Sequence, residues 1–150
     1  MMAAQEPQSK SLAKLLAQHR ELRSLLATID RALEERSATV DEVAHLLGQL
    51  GDRLVKHFAL EEEGGYFAEA LLHAPQLVEK ANALLAQHPR IRTRAVEMAS
   101  EIRARQDPES DWWEQTRSRF RVLRDELLKH ERHEDVLLQE AYTRDLGSHD

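Results

Sequence analysis

The sequence predicts an all-α protein, an antiparallel up-down-up-down four-helix bundle, and three observations predict it. In four separate segments apolar residues recur at alternating steps of three and four, the spacing of one face of a helix. The links between these segments are short, apart from the stretch around residues 64–79, and short links between long helices make sequential neighbours antiparallel. The composition, 41% hydrophobic and 32% charged with only 5 Gly and 4 Pro in 150 residues, is that of a mostly helical soluble protein. No segment alternates with period two, so no strand is predicted.

The first helix carries the seam Leu12, Leu15, Leu22, Leu26, Ile29 and Leu33. One place in that stripe where another Leu would fit is His19. Ser9 or Ser11 can cap its start, and residues 1–9 read as a flexible tail, leaving 10–146 as the bundle. Ser37-Ala38-Thr39 ends the first helix and opens the second, where Thr39 and Glu42 have the spacing of a capping box. The second seam is Val43, Leu47, Leu50, Leu54, His57 and Glu61, and Gly64-Gly65 weakens the helix just beyond it. Tyr66 to Leu72 is helical in pattern, and Pro75 punctuates. The third seam is Leu77, Ala81, Leu84, His88, Ile91, Ala95, Met98 and Ile102, with a kink or restart expected at Pro89. Asp107-Pro108 separates it from the fourth, Trp113, Thr116, Phe120, Leu123, Leu127, His130, Glu134, Leu137 and Ala141, which Gly147 closes.

The bulk numbers exclude several functions. A net charge of −6 leaves little room for a basic face, so nucleic acid is not an expected partner. No apolar run approaches 18 residues, so no membrane span is expected, and the opening residues lack an apolar signal core. With no cysteine there is no disulfide, thiolate or cysteine-ligated metal, which fits a cytoplasmic protein.

The 8 histidines are then the unusual feature of an acidic chain. Four lie in the seams, and two of them belong to His-x-x-x-Glu pairs, His57/Glu61 and His130/Glu134, which aim both side chains at one point on a helix face. Helix rise places them at a common depth. Counted from one end of the bundle at 1.5 Å per residue, His19, His57, His88 and His130 all fall about 10–13 Å down, with Glu61 and Glu134 about one turn nearer that end. Two carboxylates meeting inside a bundle would repel unless one took up a proton. Divalent ions between four imidazoles and two carboxylates satisfy every group. His45, His73, His133 and His149 fall off the seams or near the ends and read as solvated, as do Glu62 and Glu63. Trp112 and Trp113 lie far from the histidines and read as core packing.

Repetition points to two metal positions. Gln18-His19-Arg20-Glu21-Leu22-Arg23 parallels Gln87-His88-Pro89-Arg90-Ile91-Arg92, and each is followed by a His-x-x-x-Glu. The chain thus reads as two related helical hairpins. Small molecules are expected to enter at the end of the bundle beside Gly64-Gly65 and Pro89, where glycines ease opening.

These residues, in this order and spacing, resemble the hemerythrin-like family, also called the HHE cation-binding domain, from about residue 10 to residue 141. The resemblance implies a four-helix bundle with a non-haem di-iron centre, its two irons joined by carboxylates and an oxo, hydroxo or water bridge. By position His19 and His57 would serve one iron, His88 and His130 the other, and Glu61 and Glu134 would bridge. Oxygen-carrying members have a further histidine one turn away on the third helix, but Leu84 and Arg92 stand at both candidate places here. They also bridge through an aspartate five residues after the last histidine, where Asp135 stands. Glu134 is preferred because a step of four keeps the seam phase. With one histidine fewer, reaction with O₂, peroxide or nitric oxide is favoured over simple reversible carriage, and a peroxide-decomposing or oxidase activity is implied. Two further readings are a metal- or redox-sensing interaction module and a bundle holding structural zinc or another divalent ion.

Overall fold

The computed structural model describes the backbone of residues 2–63, 71–72, 74–103 and 110–147, and of these the side chains except residues 2–12, 103, 110, 142 and 144–147. The described residues are helical apart from short links at 36–39, 74 and 86–87, with no strand among them. Helix α1 is Met2–Glu35 and α2 is Val40–Glu63. A 3₁₀ turn, Pro75–Leu77, leads into α3, Val78–Leu85, which is followed by α4, His88–Arg103, and α5, Ser110–Gly147. Taking α3 and α4 as one broken rod, the elements pack as a four-helix bundle. In it α1 lies against α2 and α5, α4 against α2 and α5, and α3 against α5.

The boundaries follow from local chemistry. Helix α1 starts earlier than the pattern suggests: residues read as a tail are helical from Met2 on, and Ala3, Ala4, Gln5 and Glu6 are good helix formers. It ends where Arg36 turns to a φ of 52°, the left-handed conformation that commonly closes helices. Three residues later the capping box forms as expected. The Glu42 backbone N–H donates to Thr39 Oγ1 (3.1 Å), and the Thr39 N–H donates to Glu42 Oε2 (3.2 Å). Thr39→Ala is therefore expected to cost about 1 kcal/mol of stability, read as a lowered midpoint in urea unfolding.

The break in the third rod has a single cause. Pro89 lacks an N–H, and its ring crowds the carbonyl four residues back, which belongs to Leu85, the last residue of α3. The chain turns at Ala86 and Gln87, whose amides bond back to the Asn82 (3.0 Å) and Leu84 (3.0 Å) carbonyls. Helix α4 restarts with Pro89 in its first turn, where a missing N–H is harmless. The Gly64-Gly65, His73, Asp107-Pro108 and His149 readings lie outside the described residues.

The predicted seams form the core. Their described members on α2, α3 and α4 are all buried. One correction falls on α5: Trp112 is the buried indole, while Trp113 is only partly covered and meets it edge to face, centroids 4.9 Å apart. Trp112 is four residues before Thr116, as Trp113 is three, so spacing alone permits either. The core has two parts. A large cluster runs from Trp112, Val43 and Leu33 up to Leu22, Leu54, Phe58, Ile91 and Leu127. A smaller one joins Leu15, Ala74, Leu77, Ala81, Leu84, Leu137, Leu138 and Ala141. Between the two lies a polar layer.

Candidate metal centre

That layer consists of His19, His57, Glu61, His88, His130 and Glu134, all buried. The seam spacing carries each of them inward from its own helix. The rings meet in two edge-on pairs, His19 with His57 (centroids 5.0 Å) and His88 with His130 (4.9 Å).

The carboxylates sit between the pairs. His57 Nε2 touches Glu61 Oε1. Glu61 Oε2 also lies 3.5 Å from His88 Nε2, and Glu61 Oε1 lies 4.0 Å from His19 Nε2. Glu134 Oε2 lies 3.2 Å from His130 Nε2 and 3.4 Å from His88 Nε2, with Oε1 3.5 Å from His19 Nε2. Two donor sets result, His19/His57/Glu61/Glu134 and Glu61/His88/His130/Glu134, and in each the candidate ligand atoms lie within 4.8 Å of one another. Both glutamates belong to both sets.

Every imidazole turns Nε2 to the centre and Nδ1 outward. His19 Nδ1 donates to Asp135 Oδ1 (2.7 Å), His57 Nδ1 to Gln18 Oε1 (2.8 Å) and His130 Nδ1 to Gln87 Oε1 (2.9 Å). His88 Nδ1 faces Glu62 Oε1 at 3.8 Å. Such outer partners fix the tautomer that leaves Nε2 free to ligate. The repeated Gln-His dipeptide now has a role: each glutamine holds the second histidine of its own hairpin. The acidic residue following each inward glutamate, Glu62 or Asp135, faces the histidine of the opposite hairpin. Asp135 thus stands behind His19, and Glu134 is the carboxylate at the centre. Glu62, read as solvated, is 38% exposed yet turned toward His88. His45 and His133 are exposed, and Leu84 is packed in the smaller apolar cluster.

The donor atoms call for a cation. The Nε2 atoms of His19, His57 and His130, both Glu61 oxygens and Glu134 Oε1 are buried without a hydrogen-bond partner, an arrangement rare in folded proteins. Metal–ligand bonds of about 2.0–2.2 Å place ligands across one ion roughly 4 Å apart, so each set fits a single ion after a small contraction. The electrostatics agree. Burial disfavours an imidazolium at His19, but Asp135, Glu134 and Glu61 outweigh it and push its pKa up to about 11. At His88 burial is likewise outweighed, by Glu134 and Glu61, and its pKa is pushed up to about 9. Burial works against the Glu61 carboxylate too, yet the groups facing it, Glu134 and the His19, His57 and His88 imidazoles, hold it ionised well below the usual range. The centre is a negative pocket that fills with protons when nothing else supplies positive charge.

Sequence reasoning missed Glu131. It is 1% exposed, both its oxygens lack a hydrogen bond, and Arg23 Nη1 approaches only to 3.6 Å. Burial, only partly offset by His19 and Arg23, pushes its pKa up to about 8. The hairpin repeat held the signal: aligning His57 with His130 aligns Phe58, an inward residue, with Glu131. An acid whose folded pKa lies above its unfolded value stabilises fully below the unfolded value, and that advantage is lost between about 4.5 and about 8. Glu131→Gln should therefore gain on the native metal-free chain as pH rises from 4.5 to 8, by up to about 3 kcal/mol, in paired denaturant titrations.

No helix among the described residues is long and apolar enough to cross a membrane. No curated protein and no solved structure matches the chain. A family model described as the hemerythrin HHE cation binding domain matches residues 11–142, a span that contains all six inward residues and their outer partners. With that match over most of its length, laid on a buried His/Glu cluster built to hold metal, the chain belongs to the hemerythrin HHE cation-binding domain family.

Proposed function

We propose that the chain is a non-haem di-iron protein that binds or reacts with O₂, peroxide or nitric oxide. In this reading His19 and His57 hold one ion, His88 and His130 hold the other, and Glu61 and Glu134 span both. The observation that carries it is the sharing of those two glutamates by both donor sets. Cross-helix ion pairs support the antiparallel, up-down-up-down path that brings the four helices to one level. Against α1, Asp30 meets Arg121 and Glu34 meets Arg117, while Arg94 meets Glu126 and Arg119 meets Glu101. In each helix pair one number rises as the other falls.

Iron bound there would supply redox chemistry toward a small oxidant. The protein's own part is to orient and to exclude. Asp135, Gln18 and Gln87 hold three imidazoles in one tautomer, and apolar clusters shield the two faces of the layer. Leu84 and Arg92, not histidine, stand at the two candidate places for the further ligand of oxygen carriers, which favours turnover, as an oxidase or a peroxide-decomposing enzyme, over carriage. The absence of cysteine supports a reducing cytoplasmic setting.

The test is anaerobic loading with ferrous iron, then addition of O₂ or peroxide while the absorption spectrum and oxidant consumption are followed. Two irons per chain, with ligand-to-metal bands appearing on oxidation, are expected. A chain that refuses iron but takes up zinc, and stays colourless, would leave the structural-ion reading in its place.

A further inference from the structure

The hairpin repeat makes the two halves of the centre formally equivalent, but their surroundings differ. Gln18, Glu21, Arg53 and His57 of one half correspond to Gln87, Arg90, Glu126 and His130 of the other. In the second half the groove outside the histidine is bridged by ion pairs: Arg90 Nε lies 3.3 Å from Glu126 Oε1, and Arg94 Nη1 donates to Glu126 Oε2 at 2.7 Å. The charges are exchanged in the first half, where Arg94 has the apolar Leu25 as its counterpart. There, among the described residues, Glu21, Arg53 and Lys56 form no ion pair. A pocket of about 140 Å³ opens between them and reaches Gln18 and His57. His57 is accordingly the most exposed of the four inward histidines, at 5% against 0–1% for the others. A larger pocket of about 360 Å³ touches Gln87 from the α3–α5 side, and His130 is not among its walls.

The inner packing is unequal in the same sense. Phe58 lies flat on His88, ring centroids 3.9 Å apart and planes within 6°, so an apolar ring covers that half. At the corresponding position in the other half stands Glu131, a buried carboxyl without a hydrogen bond. One half is polar and reached from outside, and the other is apolar and clamped.

We propose that the two ions are held unequally: the His19/His57 ion exchanges with solution through the Gln18–His57 pocket, while the His88/His130 ion is retained behind the Arg90–Glu126–Arg94 clamp. This rests on the reading that the chain holds two ions. The pocket has room for a few water molecules or a small chelating group, since water occupies about 30 Å³ in the liquid. An ion leaves by stepwise replacement of protein ligands, so water at His57 favours departure from that half. Glu126 acts as a positioning residue, through the groove it closes.

The experiment loads the full chain with two equivalents of zinc, a redox-silent probe suited to His and carboxylate ligands. Release to an excess of the coloured chelator 4-(2-pyridylazo)resorcinol is then timed. Two phases are expected, one ion per chain in each, with rates at least about ten-fold apart. Glu126→Gln, a conservative change at a partly exposed position, should speed the slow phase about five-fold and leave the fast one alone. Glu21→Trp, which fills the pocket mouth, should slow the fast phase only. Two ions leaving at one rate, or Glu126→Gln acting on the fast phase, would overturn the proposal while leaving the two-ion centre intact. Uptake of fewer than two zinc ions by the native chain would overturn the two-ion reading itself, and the proposal with it.

Discussion

Glu61→Ala or Glu134→Ala should empty both metal positions at once, because each carboxylate belongs to both donor sets. His57→Ala or His130→Ala removes a ligand from one set and should also lower metal content sharply. His133→Ala, one residue from Glu134, and His45→Ala should leave content unchanged, since both side chains are exposed and off the seam. Gln18→Ala and Gln87→Ala fall between these limits. Each frees one Nδ1 without removing a ligand, a change that typically weakens metal binding about 10–100-fold. Metal analysis of the dialysed proteins separates the three grades. If the seam and off-seam histidine variants lost metal equally, the face argument would fail.

Removing the metal should lower the melting temperature by on the order of 10 °C. Ligand present at about 1,000 times its dissociation constant stabilises by about 4 kcal/mol, and each kcal/mol moves a domain of this size by about 2–4 °C. The metal-free chain is expected to keep its core, two apolar clusters that flank the polar layer and need no metal to pack. It holds protons on His19 and His88, whose pKa values the inward acidic groups push up to about 11 and about 9. Those protons must leave when metal enters, so loading at pH 7 should release about two protons per chain, and affinity should rise with pH. Calorimetric melting with and without a chelator, and a pH indicator during loading, measure the two effects. Equal melting temperatures would count against a buried two-ion site.

The helices and the six inward residues were legible in the sequence because both depend on quantities local to the chain. A step of three or four fixes which face a residue occupies whatever packs against it, and a constant rise per residue fixes its depth. Hence His19, His57, His88 and His130 could be set at one level, Pro89 could be expected to break the third rod, and Thr39/Glu42 could be paired as a cap. What only the tertiary structure decided is which neighbour each group meets. Whether Trp112 or Trp113 turns inward depends on how far α5 is rotated about its own axis, and one residue's shift turns a helix by about 100°. That Asp135 serves His19, that Gln18 and Gln87 hold His57 and His130, that Glu62 turns toward His88, and that Glu131 lies buried beside His19 follow from contacts between segments distant in sequence. The hairpin repeat marked the halves as equivalent. Their difference, an ion-paired groove outside His130 and an open pocket outside His57, rests on how side chains from separate helices close or fail to close a gap, and spacing along one helix carries no information about that.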